Sequence, residues 1–153
     1  MVNYEGIFVV PEDMEKLFSK EGTFLGFRND IPHITFLYKP DKYHLIEDYV
    51  GKDVTIHVIG YGCDGENSAF EVTFPEEYNE FYFNKDEDGN SIKPHITLSL
   101  SDNAKASNSK NLTFVKFKEP IAIQGRFGYW IKDDKEEYPL YDKLLPKLKK
   151  QSE

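Results

Sequence analysis

Residues 32–35 and 94–97 both read Pro-His-Ile-Thr, so two of the four histidines in the chain sit in one repeated tetrapeptide. A copied core segment explains the isoleucine, but not the copying of an imidazole and of a hydroxyl two residues on. Imidazole titrates near neutral pH and can take a proton in one state and give one in the other. A threonine hydroxyl can donate a hydrogen bond to an oxygen that gathers negative charge. In extended backbone, residues i and i+2 share a face. His33 and Thr35 then project together, as do His95 and Thr97, while Ile34, Phe36, Ile96 and Leu98 turn the other way to anchor each strand. Pro32 and Pro94 bias the residue before them away from helix, which supports the extended reading. Two such pairs facing one cleft suit displacement at phosphorus. One neutral ring takes the nucleophile's proton, the other, protonated, supplies the leaving oxygen, and the hydroxyls hold the non-bridging oxygens. No metal or other cofactor is needed for this chemistry.

The elements that must position these residues follow from periodicity. Gly6 to Val10 reads as a short buried strand stopped by Pro11, and Glu12 to Ser19 as a helix with Met14, Leu17 and Phe18 on one face. Ile31 to Tyr38 reads as the first histidine strand. Tyr43 to Val50 reads as a helix closed by Gly51, and Val54, Ile56 and Val58 alternate as a strand running into Gly60-Tyr61-Gly62. Ala69 to Phe74 is a further strand. The order then recurs. Lys85 to Ser91 is a charged turn, Ile92 to Leu100 the second histidine strand, and Asp102 to Asn111 a polar, helix-like stretch. Phe114 to Phe117 and Ile121 to Gln124 are strands, the latter running into Gly125-Arg126-Phe127-Gly128. Gly60 follows His33 at nearly the spacing at which Gly125 follows His95. These features predict one α+β domain over residues 1–153. It would consist of two similar, interleaved lobes of antiparallel sheet with flanking helices, related by a pseudo-twofold internal duplication around a central cleft. The leucines Leu144, Leu145 and Leu148 predict a short terminal helix interrupted by Pro146.

The paired motifs, Pro-His-Ile-Thr-Phe at 32–36 and Pro-His-Ile-Thr-Leu at 94–98, resemble the two-histidine phosphoesterase superfamily. Its mark is a pair of His-x-Thr/Ser motifs flanked by hydrophobic residues, one from each lobe of a duplicated α+β fold. One such tripeptide carries no signal, whereas two in matching context are specific, and the resemblance extends over most of the chain. It implies that His33 and His95 are the general acid–base pair and that Thr35 and Thr97 hold phosphate. Members act on 2′,3′-cyclic phosphates at RNA ends, on 2′-5′ oligoadenylates or, in phage members, on cyclic oligonucleotide immune messengers. The resemblance therefore implies a phosphodiesterase for cyclic or short oligonucleotides. An RNA 2′,3′-cyclic phosphodiesterase and a catalytically silent protein that sequesters a nucleotide are the alternatives. A phage or mobile-element origin would fit.

Other residues are candidate ligand contacts. Ser99 shares the parity of His95 and Thr97 and so would line the cleft. Arg126 follows a strand near the end of the repeated unit, where it would reach a phosphate or serve as an ordinary surface arginine. Tyr129 and Trp130 are the better candidates for stacking on a base. An unbroken strand turns Tyr38, three residues after Thr35, to the opposite face, and only a bulge would bring it back. His57 alternates against Val54, Ile56 and Val58 and should face solvent, and His44 should be exposed on its helix. Residues 84–89 mimic the start of a calcium-binding loop, but its twelfth position is His95 instead of the bidentate glutamate that such a loop requires.

Composition narrows the partners. Nineteen Lys and Arg against 27 Asp and Glu give a net charge of −8, which repels a long polyanion at distance and disfavours duplex DNA or structured RNA. A small anionic ligand remains compatible, because a local pocket can be positive on an acidic protein. Cys63 is the only cysteine, so no intrachain disulfide forms, which fits a reducing compartment. No apolar run approaches the roughly 20 residues that span a bilayer. The expectation is a cytoplasmic protein with a small nucleotide ligand and no membrane contact.

Overall fold

Twelve phenylalanines and ten tyrosines favour pleated, half-buried surfaces over helix, and strands dominate the molecule. A computed structural model describes residues 1–28, 31–40 and 46–142. Its strands are β1 (Val2–Val9), β2 (Phe27–Arg28), β3 (His33–Tyr38), β4 (Asp53–Cys63), β5 (Asn67–Thr73), β6 (His95–Leu100), β7 (Val115–Lys132) and β8 (Glu137–Leu140). They form one eight-stranded sheet in the order β2-β6-β5-β4-β7-β1-β3, with β8 added on β7. Every strand pair is antiparallel.

The single α-helix among the described residues, α1 (Pro11–Phe18), begins at a proline. Proline's missing N–H costs nothing at that position. Glu12 and Asp13 lie in its first turn and Lys16 in its last, the arrangement that the helix dipole favours. The helix is tied to β7 at both ends. The Asp13 carboxylate accepts the Gln124 N–H at 2.7 Å, and the Lys16 ammonium donates to the Ala122 carbonyl at 3.0 Å. The other helical pieces are short 3-10 turns at Glu47–Tyr49, Glu76–Phe81 and Ala106–Asn111.

Several expectations need correcting. Of the helix expected over 43–50, the described part holds a 3-10 turn at Glu47–Tyr49, and its first part, with His44, lies outside the described residues. The two strands expected at 114–117 and 121–124 are one continuous strand, β7, which pairs β4 along one edge and β1 along the other. Leu140 ends β8, and the helix expected beyond it falls on residues 143–153, outside the described part. The 3-10 turn at Glu76–Phe81 and strands β2 and β8 had no periodic signal.

The strand order carries a symmetry of its own. In the path β6-β5-β4-β7-β1-β3, the strands β1, β3 and β4 of the first half occupy places that mirror those of β5, β6 and β7 of the second half, taken in the same order along the chain. The centre is the β4–β7 pair, where Ile56 faces Ile123, both almost fully buried. β3 and β6 sit towards opposite ends of the path, yet residues of the two come within 8 Å Cα to Cα. The sheet therefore curls until its two histidine strands are neighbours. The main core lies on one face of this curl and includes Ile34 and Phe36 of β3 and Ile96 and Leu98 of β6. That alternation is the one expected for strands whose histidine face is turned away from the core.

Candidate functional site

A half-open cavity of about 580 Å³ is lined by His33, Thr35, His95 and Thr97 together. All four motif side chains thus meet one space. The two rings are held alike. His33 Nδ1 lies 2.7 Å from the Ile31 carbonyl, and His95 Nδ1 lies 2.8 Å from the Lys93 carbonyl, in each case two residues upstream. A carbonyl oxygen can only accept, so each Nδ1 carries the proton and donates. In the neutral ring Nε2 is then the basic nitrogen. The prolines contribute to the same frame: the Pro32 carbonyl accepts from Val9 N–H at 2.9 Å and the Pro94 carbonyl from Val72 N–H at 3.1 Å.

The surroundings of the two rings differ. His33 lies under the Tyr4 ring, with centroids 4.5 Å apart and planes 20° from parallel, and Phe8 is 5.6 Å away. The Tyr4 hydroxyl is 3.4 Å from His33 Nδ1. The His33 ring is pushed down to about 4, chiefly by burial, with the Ile31 carbonyl opposing and the neighbouring His95 adding to the depression. His95 is also lowered, chiefly by burial, with the Lys93 carbonyl opposing. Both rings are therefore neutral near pH 7 when the cavity holds no anion. A phosphodiester between them would raise both, because an opposite charge within about 4–6 Å favours the imidazolium. The Thr97 hydroxyl is buried and donates to Ser109 Oγ at 2.8 Å. Thr35 is half-buried at the cavity wall.

Two backbone bulges decide which other side chains reach the cavity. On β3, Thr35 pairs with Gly6 and Leu37 with Glu5, leaving Phe36 as an extra residue. On β6, Thr97 pairs with Ala69 and Ser99 with Ser68, leaving Leu98 as an extra residue. An extra residue inverts the facing of everything after it. Tyr38 is thereby returned to the histidine face, opposite Tyr4, and lines the cavity. Ser99 is turned away from it. Ser99 is fully buried, donates to Glu21 Oε2 at 2.6 Å and accepts from Leu25 N–H at 3.2 Å, so its expected place in the cleft is corrected. The carbonyl of the extra residue Phe36 also accepts the Phe83 N–H at 2.8 Å, which brings the neighbouring Asn84 and Lys85 to the cavity wall.

The remaining expected contacts are likewise displaced. Arg126 pairs with Phe8 across β1–β7 and with Asp53 across β4–β7. Its Nε donates to Asp53 Oδ1 at 2.8 Å, and its guanidinium lies over Tyr141. It is not among the residues lining the cavity. Tyr129 pairs with Glu5 and faces the core, with none of its surface exposed. Trp130 is on the histidine side of the sheet but sealed, 6% exposed, behind Tyr4, with ring centroids 6.0 Å apart. It backs the tyrosine that packs on His33. His57 is exposed, as its alternation required. Tyr4, Asn84, Lys85 and Lys110 line the cavity without having been singled out. Pairing Tyr4, Gly6 and Phe8 against the first motif would have found Tyr4. The two lysines lie in turns that carry no periodic signal.

Compared with models of known protein families and with curated proteins, the sequence matches none. Among the described residues no helix is long and apolar enough to cross a membrane.

Proposed function

We propose that this chain is a metal-independent phosphodiesterase for small nucleotide phosphodiesters, working by paired-imidazole acid–base catalysis, and that it belongs with the two-histidine phosphoesterases. One observation carries the reading. Two His-x-Thr pairs line a single cavity, and both rings are fixed in the same tautomer by the carbonyl two residues before them. The mirrored places of β1, β3, β4 and of β5, β6, β7, in matching chain order, support an internal duplication as the origin of the pair.

The mechanism follows from the proton inventory. A phosphodiester enters between the rings, and its negative charge raises the affinity of one imidazole for a second proton. The neutral ring removes a proton from the attacking hydroxyl, either a ribose 2′-hydroxyl or water. The protonated ring delivers its Nε2 proton to the departing oxygen. Thr35 and Thr97 donate hydrogen bonds to the non-bridging oxygens as charge builds. Thr97 can do so because Ser109 has a proton of its own and can take over as donor within their pair. Both proton transfers are supplied by side chains, so the chemistry asks for no Lewis acid. Cyclic and short oligonucleotides are the proposed substrates, on the ground that a net charge of −8 disfavours long nucleic acid. The lone, exposed Cys63 thiol supports action in a reducing, cytoplasmic setting.

The test is incubation with labelled cyclic dinucleotides, dinucleoside monophosphates and a 2′,3′-cyclic mononucleotide, with EDTA present. Turnover should persist in EDTA and fall about 10²–10⁴-fold in His33→Ala and in His95→Ala, with thermal melts showing a retained fold. Ligand bound but never cut would make the protein a nucleotide-sequestering module, and near-wild-type rates in either variant would remove the acid–base assignment.

A further inference from the structure

A second cavity, of about 500 Å³, opens beside the first, and His95, Ile92 and Lys110 line both. The two spaces form one groove with His95 at the junction and His33 on the first cavity alone. Their charges are opposed. Among the described residues, Lys85 and Lys110 are the charged groups lining the first cavity, where both imidazoles are neutral. The second is edged by Asp86, Glu87 and Asp88 against Lys93 and Lys110. Lys110 lies 3.1 Å from Glu87, and Lys93 lies 3.6 Å from Glu71, a carboxylate it shares with the Lys116 ammonium at 2.7 Å. The Asp86 carboxylate is fixed in the turn by the N–H groups of Asp88 and Asn90, both at 2.9 Å. Lys110 is shared by both cavities and paired with Glu87, so it favours neither; Lys85 makes the first cavity attractive to phosphate, and Asp86 with Asp88 outweigh Lys93 in the second.

We propose that the groove takes a linear dinucleotide, with the scissile phosphate and upstream nucleoside in the first cavity and an uncharged leaving nucleoside in the second. The acidic edge then rejects substrates that carry a further phosphate on the leaving side. This deepens the phosphodiesterase reading and rests on it. It also orients the chemistry. The departing oxygen lies towards the second cavity, whose wall contains His95 and not His33, so His95 is the acid and His33 the base. The upstream 2′-oxygen forms a bond to phosphorus as its proton passes to His33 Nε2. The phosphorus–O5′ bond breaks and its electron pair takes the proton from His95. A 2′,3′-cyclic phosphate is left in the first cavity, and a nucleoside with a free 5′-hydroxyl in the second.

The experiment compares ribodinucleoside monophosphates of each base, NpN, with the same compounds bearing a 3′-phosphate on the downstream nucleoside, NpNp. At low salt, kcat/KM for NpN should exceed that for NpNp by at least about threefold. The gap should narrow at 1 M salt, where the Debye length is about 3 Å. Glu87 and Asp88 are exposed, so a Glu87→Lys/Asp88→Lys variant, checked by thermal melt, should invert the preference. Equal rates on both compounds would overturn the proposal. So would an unchanged ratio in the variant, or faster cleavage of a cyclic dinucleotide, in which both nucleosides carry two phosphates. If neither linear compound is cut, their affinities for the same protein decide. Tighter binding of NpN keeps the charge sorting while the phosphodiesterase reading falls, and equal affinities overturn both.

Discussion

His33 and His95 are the residues on which the chemistry turns, and their surroundings set a measurable stability effect. The His33 ring is held near 4 in the folded protein, chiefly by burial, against about 6.5 in an unfolded chain. Above pH 6.5 the ring is neutral in both states and contributes no pH dependence. Between 6.5 and 4 the unfolded chain takes up a proton that the folded protein refuses, so stability falls as the pH falls, and the loss levels off below 4. His95 is lowered too and acts in the same direction. We expect urea titrations to show a loss on the order of 2 kcal/mol from this source between pH 7 and pH 4, after allowance for partial exposure. His33→Gln should keep only the shallower part of that slope. An identical slope in the variant would mean that the ring is not desolvated as described.

At the scale of elements, the bulges in β3 and β6 decide what the cavity contains. Tyr38 is 57% exposed on the cavity rim, with the Lys39 ammonium 5.5 Å from its ring centre, and can stack on a base, an interaction worth about 1–3 kcal/mol. Tyr38→Ala should therefore raise KM about tenfold and leave the melting temperature nearly unchanged. Ser99→Ala should do the reverse. Losing a buried hydroxyl bonded to Glu21 and to Leu25 N–H should cost about 1–3 kcal/mol of stability with KM unaltered. A KM change in Ser99→Ala without a stability change would place the β6 bulge wrongly. Gly6 is the companion to the β3 bulge. A Cβ there would lie 1.9 Å from the Ile34 carbonyl oxygen, a clash with backbone that cannot move aside without shifting β3. Gly6→Ala should destabilise by about 1–3 kcal/mol and lower turnover, because it displaces His33 and Thr35 with the strand. A fully active, fully stable variant would contradict the close β1–β3 approach.

These two bulges also explain where the sequence was legible. Strict alternation put His33 with Thr35 and His95 with Thr97, and the structure agrees, because no irregularity falls within either tripeptide. One residue later parity inverts, so Tyr38 was assigned away from the cleft and Ser99 into it. Alternation measures facing only along an unbroken ladder, and Phe36 and Leu98 are ordinary strand residues that announce no bulge. Tyr129 and Trp130 depart from expectation for another reason. Aromatic residues near a motif are more often packing material than platforms, and which they are depends on the neighbouring strand, here Glu5 and Tyr4 of β1.

At the scale of the whole molecule, a repeated tetrapeptide becomes one site only because the sheet curls. β3 and β6 belong to opposite ends of the strand order, and their approach is fixed by the packing of Ile34, Phe36, Ile96 and Leu98 into a shared core. The repeat was readable from sequence, whereas the curl was not, since it arises from contacts distant along the chain. The most direct test of the account is a histidine side-chain nitrogen–proton NMR spectrum recorded while a nucleoside 3′-monophosphate is titrated in at pH 7. Before addition, both rings should show a proton on Nδ1 and a bare Nε2. During the titration the Nε2 signals of His33 and His95 should move together, with one common dissociation constant. Movement of only one ring, or protons found on Nε2 in the free protein, would show that the two imidazoles do not serve one phosphate.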